Sequence, residues 1–129
     1  MKFLFDTDVL ADLFNDQHYA KQLVSNLINQ GSLYISTIVI AELRAGFTDE
    51  QADFFLPRLY DFAAVLDLNR KMAELGGQFR FDYGKKGKIL SITDALIAAT
   101  AILEKCQLVT GNRKDYPMPE IKLYQISMR

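Results

Sequence analysis

Short apolar runs alternate with segments of helical period along the whole chain, and this alternation constrains the fold more than any other feature. The runs Phe3–Asp6, Leu33–Ile35, Ala63–Leu66, Leu108–Thr110 and Ile121–Tyr124 are short and rich in branched or aromatic residues, which predicts buried strands. Between them, apolar spacing predicts helices over Val9–Phe14, Tyr19–Asn29, Ile38–Ala45, Glu50–Tyr60, Arg70–Tyr83 and Ser91–Lys105. The expected punctuation is present. Gly31 and Gly46 are stops, Ser36 or Thr37, Asp49 and Asn69 are caps, and Pro57 should bend or shorten its helix. In the second helix Tyr19, Leu23, Leu27 and Ile28 form the apolar side. The last helix is the strongest, with Ile92, Ala95, Leu96, Ala99, Ile102 and Leu103 on one stripe. Gly84–Lys88 reads as a basic loop. Strands alternating with helices imply an α/β fold around a central, mainly parallel sheet of four or five strands with right-handed crossovers. At 129 residues the chain suits one domain, 1–129. Ligands of such folds bind beyond the carboxyl ends of the strands.

Composition removes much chemistry. One Cys (Cys106) makes no internal disulfide, and no Cys/His cluster exists to hold zinc. Nucleophilic catalysis of the Ser-His-Asp or Cys-His kind would need His18, the single histidine, which is remote in sequence from Cys106 and set in a polar stretch. No run approaches a membrane span, and the apolar N-terminal run meets Asp6 too early for a signal peptide, so a cytoplasmic location is expected. The net charge of −1 argues against a generic basic nucleic-acid binder. If four acids were sequestered in a metal site, however, the remaining charge would be +3, so RNA or DNA stays admissible as substrate.

Four acids stand out. Asp6 closes the first strand, where an acid is costly to desolvate unless something pairs it. One Asp of Asp6-Thr7-Asp8 suffices to cap the next helix, and Asp8 is read as that cap. Glu42 lies too deep in its helix for capping, and Ile38 and Gly46 offer it no i,i+4 ion pair. Asp94 completes the capping box Ser91-Ile92-Thr93-Asp94, which alone would explain it, although its second oxygen stays available. Asp115 sits in a turn, Thr110-Gly111-Asn112-Arg113-Lys114-Asp115, whose residues have ordinary backbone reasons to be there. Converging acids repel unless a cation binds, and oxygen-only ligands select Mg²⁺ or Mn²⁺. Such ions activate water for phosphodiester hydrolysis. Lys85, Lys86 and Lys88 precede Asp94, and Arg113 and Lys114 precede Asp115, where they could hold a nucleic-acid backbone or merely solubilise a loop.

Read together, the strand ending in Asp6-Thr7-Asp8, then Ile40-Ala41-Glu42-Leu43, Asp94-Ala95-Leu96-Ile97-Ala98-Ala99-Thr100-Ala101 and Leu108-Val109-Thr110-Gly111-Asn112-Arg113-Lys114-Asp115-Tyr116 resemble the PIN-domain nucleases, specifically the VapC-type toxins of toxin–antitoxin pairs. The resemblance spans nearly the whole chain, and the segment from Asp94 is its most specific piece. It implies a three-layer fold and an endoribonuclease that uses Mg²⁺ or Mn²⁺ and leaves a 5′-phosphate, acting on tRNA or other cellular RNA. Asp6, Glu42, Asp94 and Asp115 would be the catalytic and metal-site acids. Thr7 or Thr110 would bond a carboxylate or water there, and Asn112 shares with Asp115 the place of the family's fourth acid. A homodimer is implied, as is an antitoxin lying in an apolar groove, for which Phe47, Phe54, Phe55 and Tyr60 are candidates. Two rivals remain. One is a haloacid-dehalogenase-type phosphatase, which Phe3–Val9 also resembles, with Asp6 as nucleophile and Asp8 as general acid. The other is a non-catalytic binding module whose acids are caps and surface charges. In the carboxylate mechanism His18 has no role.

Overall fold

The computed structural model describes residues 1–126. Its elements run β1 (Lys2–Phe5), α1 (Thr7–Phe14), α2 (His18–Ile28), β2 (Ser32–Ser36), α3 (Thr37–Gly46), α4 (Asp49–Phe62), β3 (Ala64–Leu66), α5 (Arg70–Lys85), α6 (Ile92–Leu103), β4 (Gln107–Val109) and β5 (Lys122–Leu123), with a 3-10 turn at Arg113–Asp115. The five strands form one sheet in the order β3-β2-β1-β4-β5, every neighbouring pair parallel. The helices flank the sheet in the expected three-layer arrangement. Within the described residues no helix is long and apolar enough to cross a membrane.

A parallel sheet covered on both faces needs strands that are apolar on both sides. Phe3, Leu4, Phe5, Leu108 and Val109 are accordingly fully buried. Chain direction along the sheet reverses at β1, since β2 lies on one side of it and β4 on the other. Ligand-binding crevices of open α/β sheets form where such a reversal occurs, beyond the strands' carboxyl ends. Here that point is where Asp6 follows β1 and Thr110 follows β4, and the backbone amide of Asp6 donates to Val109 across it at 3.0 Å.

Several local expectations need correction. The stripe assigned to α6 is too narrow. Ala95 through Ala101 are all buried, whereas Ile92 and Leu103 at its ends are 47% and 41% exposed. A helix that is buried all round shows little periodicity, because every face is apolar. Its one interior hydroxyl, Thr100, donates back to the Leu96 carbonyl at 2.8 Å. In α2 the buried side is Ala20, Leu23, Val24 and Leu27, and Ile28 is exposed. The cap of α4 is Thr48 rather than Asp49, in a reciprocal capping box with Gln51. Pro57 neither ends nor shortens α4, which runs to Phe62. The basic segment is partly helical, since α5 continues to Lys85, and Gly87 then turns the chain at φ +81°.

Gly31 does more than end a helix. A Cβ there would lie 2.1 Å from the Met1 carbonyl oxygen, which accepts from Ser32 as β1 and β2 begin to pair. The start of that pairing therefore requires glycine.

The exposure pattern of α6 separates two substitutions. Ile97→Ala should lower unfolding free energy by about 2–5 kcal/mol, the usual range for emptying a buried aliphatic site, while Ile92→Ala should cost well under half as much. Urea denaturation of the two variants checks this.

Candidate active site

Asp6 is 5% exposed, and its carboxylate accepts three hydrogen bonds. Oδ1 accepts the Thr7 amide at 2.8 Å, so Asp6, not Asp8, is the residue that caps α1. Oδ2 accepts the hydroxyls of Thr110 and Tyr116, each at 2.8 Å. Asp8 instead accepts the Gly111 amide at 2.8 Å, pinning the loop after β4 against α1. The first acid's cap geometry follows from the chain leaving β1 in an extended conformation at φ −78°, ψ 161°, before it turns into α1.

The other three acids approach from different elements. Glu42, on α3, accepts the Thr7 hydroxyl at 2.6 Å. Asp94 lies in the first turn of α6, where its amide donates to Ser91 Oγ at 3.1 Å as the capping box requires. Its Oδ1 lies 3.3 Å from the Tyr116 hydroxyl, which therefore stands between Asp6 and Asp94. Asp115 sits in the 3-10 turn, close enough for its charge to act on Asp94. Asn112 takes part through its backbone: its amide donates to Thr110 Oγ1 at 3.0 Å while the side chain is exposed. Of the two positions expected for a fourth acid, Asp115 is the one whose charge acts on Asp94.

Burial and mutual repulsion are visible in the acids' proton affinities. The Asp6 carboxyl is pushed up to about 6 from an ordinary 3.8, chiefly by burial; bonds from Thr110 and Tyr116 oppose this, and the Asp8 charge adds to it. Asp94 is raised as well, first by burial and then by the charges of Asp115 and Glu42, against bonds from Ser91 and Tyr116. Burial and the neighbouring Asp6 and Asp94 charges push the Tyr116 hydroxyl far upward, so it keeps its proton.

None of the ion pairs among the described residues (Lys2–Glu104, Lys21–Asp16 and Arg44–Asp49) involves Asp6, Glu42, Asp94 or Asp115. The donor set is oxygen only and carries excess negative charge, which in kind fits a hard divalent cation. In spacing, no three acids among the described residues yet form a ready cluster. Asp6 and Asp94 are the pair already joined through one hydroxyl, with Glu42 and Asp115 at their flanks.

The basic residues divide. Lys88 reaches the Lys114 carbonyl at 3.4 Å and so ties the loop before α6 to the turn carrying Asp115. Arg113 reaches back to the Tyr124 carbonyl at 3.4 Å. Lys85 and Lys86 lie over the rings of Phe81 and Tyr83 of their own helix, with no contact to the acids. Beside Glu42 and Thr7 opens a cavity of about 170 Å³ lined by Phe14, Phe47 and Phe55. Phe54 packs edge-on to Phe55 and borders a neighbouring hollow, and Tyr60, expected with them, lines neither.

The PIN-domain family model matches residues 3–118. The chain belongs to the PIN-domain family. Among curated relatives of this PIN domain, Ribonuclease VapC2 of Rickettsia felis is 31% identical over 127 residues, covering 90% of each chain. Ribonuclease VapC19 of Mycobacterium tuberculosis is 29% identical over 116 residues, covering 89% of this chain and 92% of its own. Among solved structures, VapBC2 from Rickettsia felis bound to a promoter DNA fragment superposes with a TM-score of 0.86 at 28% identity, over 96% of this chain and 98% of that one. A toxin–antitoxin complex from Klebsiella pneumoniae gives 0.74 at 28% identity, over 95% and 98%.

The sequence does not make Tyr116 visible in advance. It is a lone aromatic between a polar turn and Pro117, and only its placement against two carboxylates marks its hydroxyl out. The phosphatase reading fails on geometry. Asp6 is buried with three donors on its oxygens, which blunts a nucleophile, and the Asp8 carboxylate is turned to the Gly111 amide rather than toward a leaving group.

The raised Asp6 group gives a stability prediction. Its folded value exceeds the unfolded one, so the folded state holds the proton more tightly. The penalty is absent below about pH 4, grows between 4 and 6, and is complete above 6. The metal-free protein should therefore gain stability on acidification from pH 7 to 5, by about 1 kcal/mol, and by about 3 kcal/mol once below pH 4. Asp6→Asn, whose amide can still bond Thr110 and Tyr116, should melt higher than the parent at pH 8, by on the order of 5 °C. It should also lose most of this pH dependence, as thermal denaturation at both pH values will show.

Proposed function

We propose that this PIN domain is the toxin of a type II toxin–antitoxin pair and acts as an Mg²⁺- or Mn²⁺-dependent endoribonuclease on tRNA or other cellular RNA. The observation that carries this reading is that Tyr116 joins Asp6 and Asp94 at the sheet's reversal point, with the charges of Glu42 and Asp115 acting on Asp94 and no ion pair to any of the four among the described residues. Relatives bearing the name ribonuclease and neighbours solved with antitoxins support it.

Asp6 and Asp94, with Glu42 and Asp115 beside them, would hold the ion. A divalent ion there supplies a Lewis acid for the attacking water and for charge developing on the phosphoryl group. The chain's own contribution is orientation. The Thr7 hydroxyl aims Glu42, its amide aims Asp6, and Thr110 steadies Asp6 from the opposite strand end. Lys88 and Lys114, on two segments joined by the Lys88–Lys114 contact, would meet phosphates, with Arg113, Lys85 and Lys86 as further basic residues for the RNA backbone. The phenylalanine-lined cavity beside Glu42 suits an apolar anchor of an antitoxin segment, from which a following residue would reach the acids. The active species is a homodimer in the cytoplasm.

Purified protein freed of antitoxin should cleave total RNA or tRNA in Mn²⁺ or Mg²⁺, and should release no phosphate from small phosphomonoesters. Asp94→Asn should cut the rate by more than about 100-fold, beyond the range for outer partners of a metal site, with the folded circular dichroism spectrum kept. His18→Ala should leave cleavage intact. Cleavage should fall as pH drops through about 6, because a proton on Asp6 competes with the ion. Intact RNA under all these conditions, together with a melting temperature unmoved by Mn²⁺, would favour a non-catalytic binding module instead.

A further inference from the structure

The Tyr116 hydroxyl is the one group that touches two of the acids. It lies 2.8 Å from Asp6 Oδ2 and 3.3 Å from Asp94 Oδ1, on a side chain only 3% exposed. An ionised carboxylate offers about four lone-pair sites. Protein donors take three of those on Asp6: the Thr7 amide on Oδ1, and the Thr110 and Tyr116 hydroxyls on Oδ2. Oδ2 is thus filled. A phenol has a single proton to give, so the hydroxyl serves Asp6 and Asp94 in turn, with the nearer Asp6 favoured. The metal-free arrangement therefore satisfies Asp6 at the expense of openness, and no three acids among the described residues stand as a ready cluster.

Resting on the metal reading above, we propose that Tyr116 is a positioning residue that holds Asp6 and Asp94 in the metal-free protein and competes with the divalent ion for them. Its hydroxyl would have to leave Asp6 Oδ2 for an ion to bind that oxygen. Whatever the bond contributes to the metal-free state is subtracted from the apparent ion affinity. Thr110 bonds Asp6, and Thr7 bonds Asp6 through its amide and Glu42 through its hydroxyl, but neither bridges Asp6 and Asp94.

Tyr116→Phe removes the hydroxyl and keeps the buried ring. Calorimetric titration with MnCl₂ should show affinity raised by about tenfold, the equivalent of one hydrogen bond to a charged group. The variant should also melt below the parent without metal, and the gap should narrow at saturating Mn²⁺. Equal or weaker Mn²⁺ binding by the variant, with binding by the parent intact, would overturn this proposal and leave the metal reading standing. Absence of binding by both would overturn both. Should the variant not fold, the parent protein carries the test: with ¹³C-labelled tyrosine, the Tyr116 Cζ resonance should move on Mg²⁺ saturation, and an unmoved resonance would overturn the proposal.

Discussion

The burial of the Asp6 carboxylate at the end of β1 governs the rest of this site. A charge taken from water must be met by donors or a cation, and here it is met by one amide and two hydroxyls from three separate parts of the chain. Those donors do not offset the desolvation fully, which is why the group binds its proton up to about pH 6. What remains uncompensated is an attraction for positive charge, directed into the crevice. The fold thus stores in Asp6 a liability that, in the proposed function, a bound ion would remove.

The sheet makes this possible. Because β1 sits between β2 and β4, its end is flanked on one side by Ser36, which caps α3, and on the other by Thr110. The helix that brings Glu42 and the loop that brings Asp115 start from those two flanking strand ends. Asp94 comes from α6, the most deeply buried helix, whose packing against α5 sets its first turn in place. Gly76 on α5 approaches closely there, since a Cβ on it would lie 2.8 Å from Leu96 Cδ2 and 3.3 Å from the Ala95 carbonyl. Rigid elements therefore deliver each acid, and the small polar groups Thr7, Thr110 and Tyr116 set the final orientation.

Most of the architecture was legible because strands and helices differ in length and period. All five strands and six helices lie where the pattern puts them, within a few residues at their ends. The misreadings share a cause. α6 and α2 were assigned one apolar stripe each, yet which faces are covered depends on the neighbours that pack against them, and periodicity says nothing of those. Asp8 was read as a cap because caps are local, whereas its partner Gly111 is more than a hundred residues away. The resemblance groups Tyr60 with Phe47, Phe54 and Phe55, but Tyr60 lines neither of the two hollows that hold Phe47, Phe54 and Phe55.

By itself the sequence determined the class of fold, from local period, and left carboxylates as the available metal ligands in a chain with one His and one Cys. Period and composition left Glu42, Asp94 and Asp115 with local explanations, and only the resemblance to PIN-domain nucleases joined them to Asp6 as one set. Only the tertiary structure decided which groups hold Asp6, that Asp115 rather than Asn112 faces Asp94, and that the Tyr116 hydroxyl stands between two carboxylates. Each of these joins residues distant in the chain. A hydrogen bond depends on a few tenths of an ångström and an angle, and such precision arises only once the parallel strands have brought their carboxyl ends side by side.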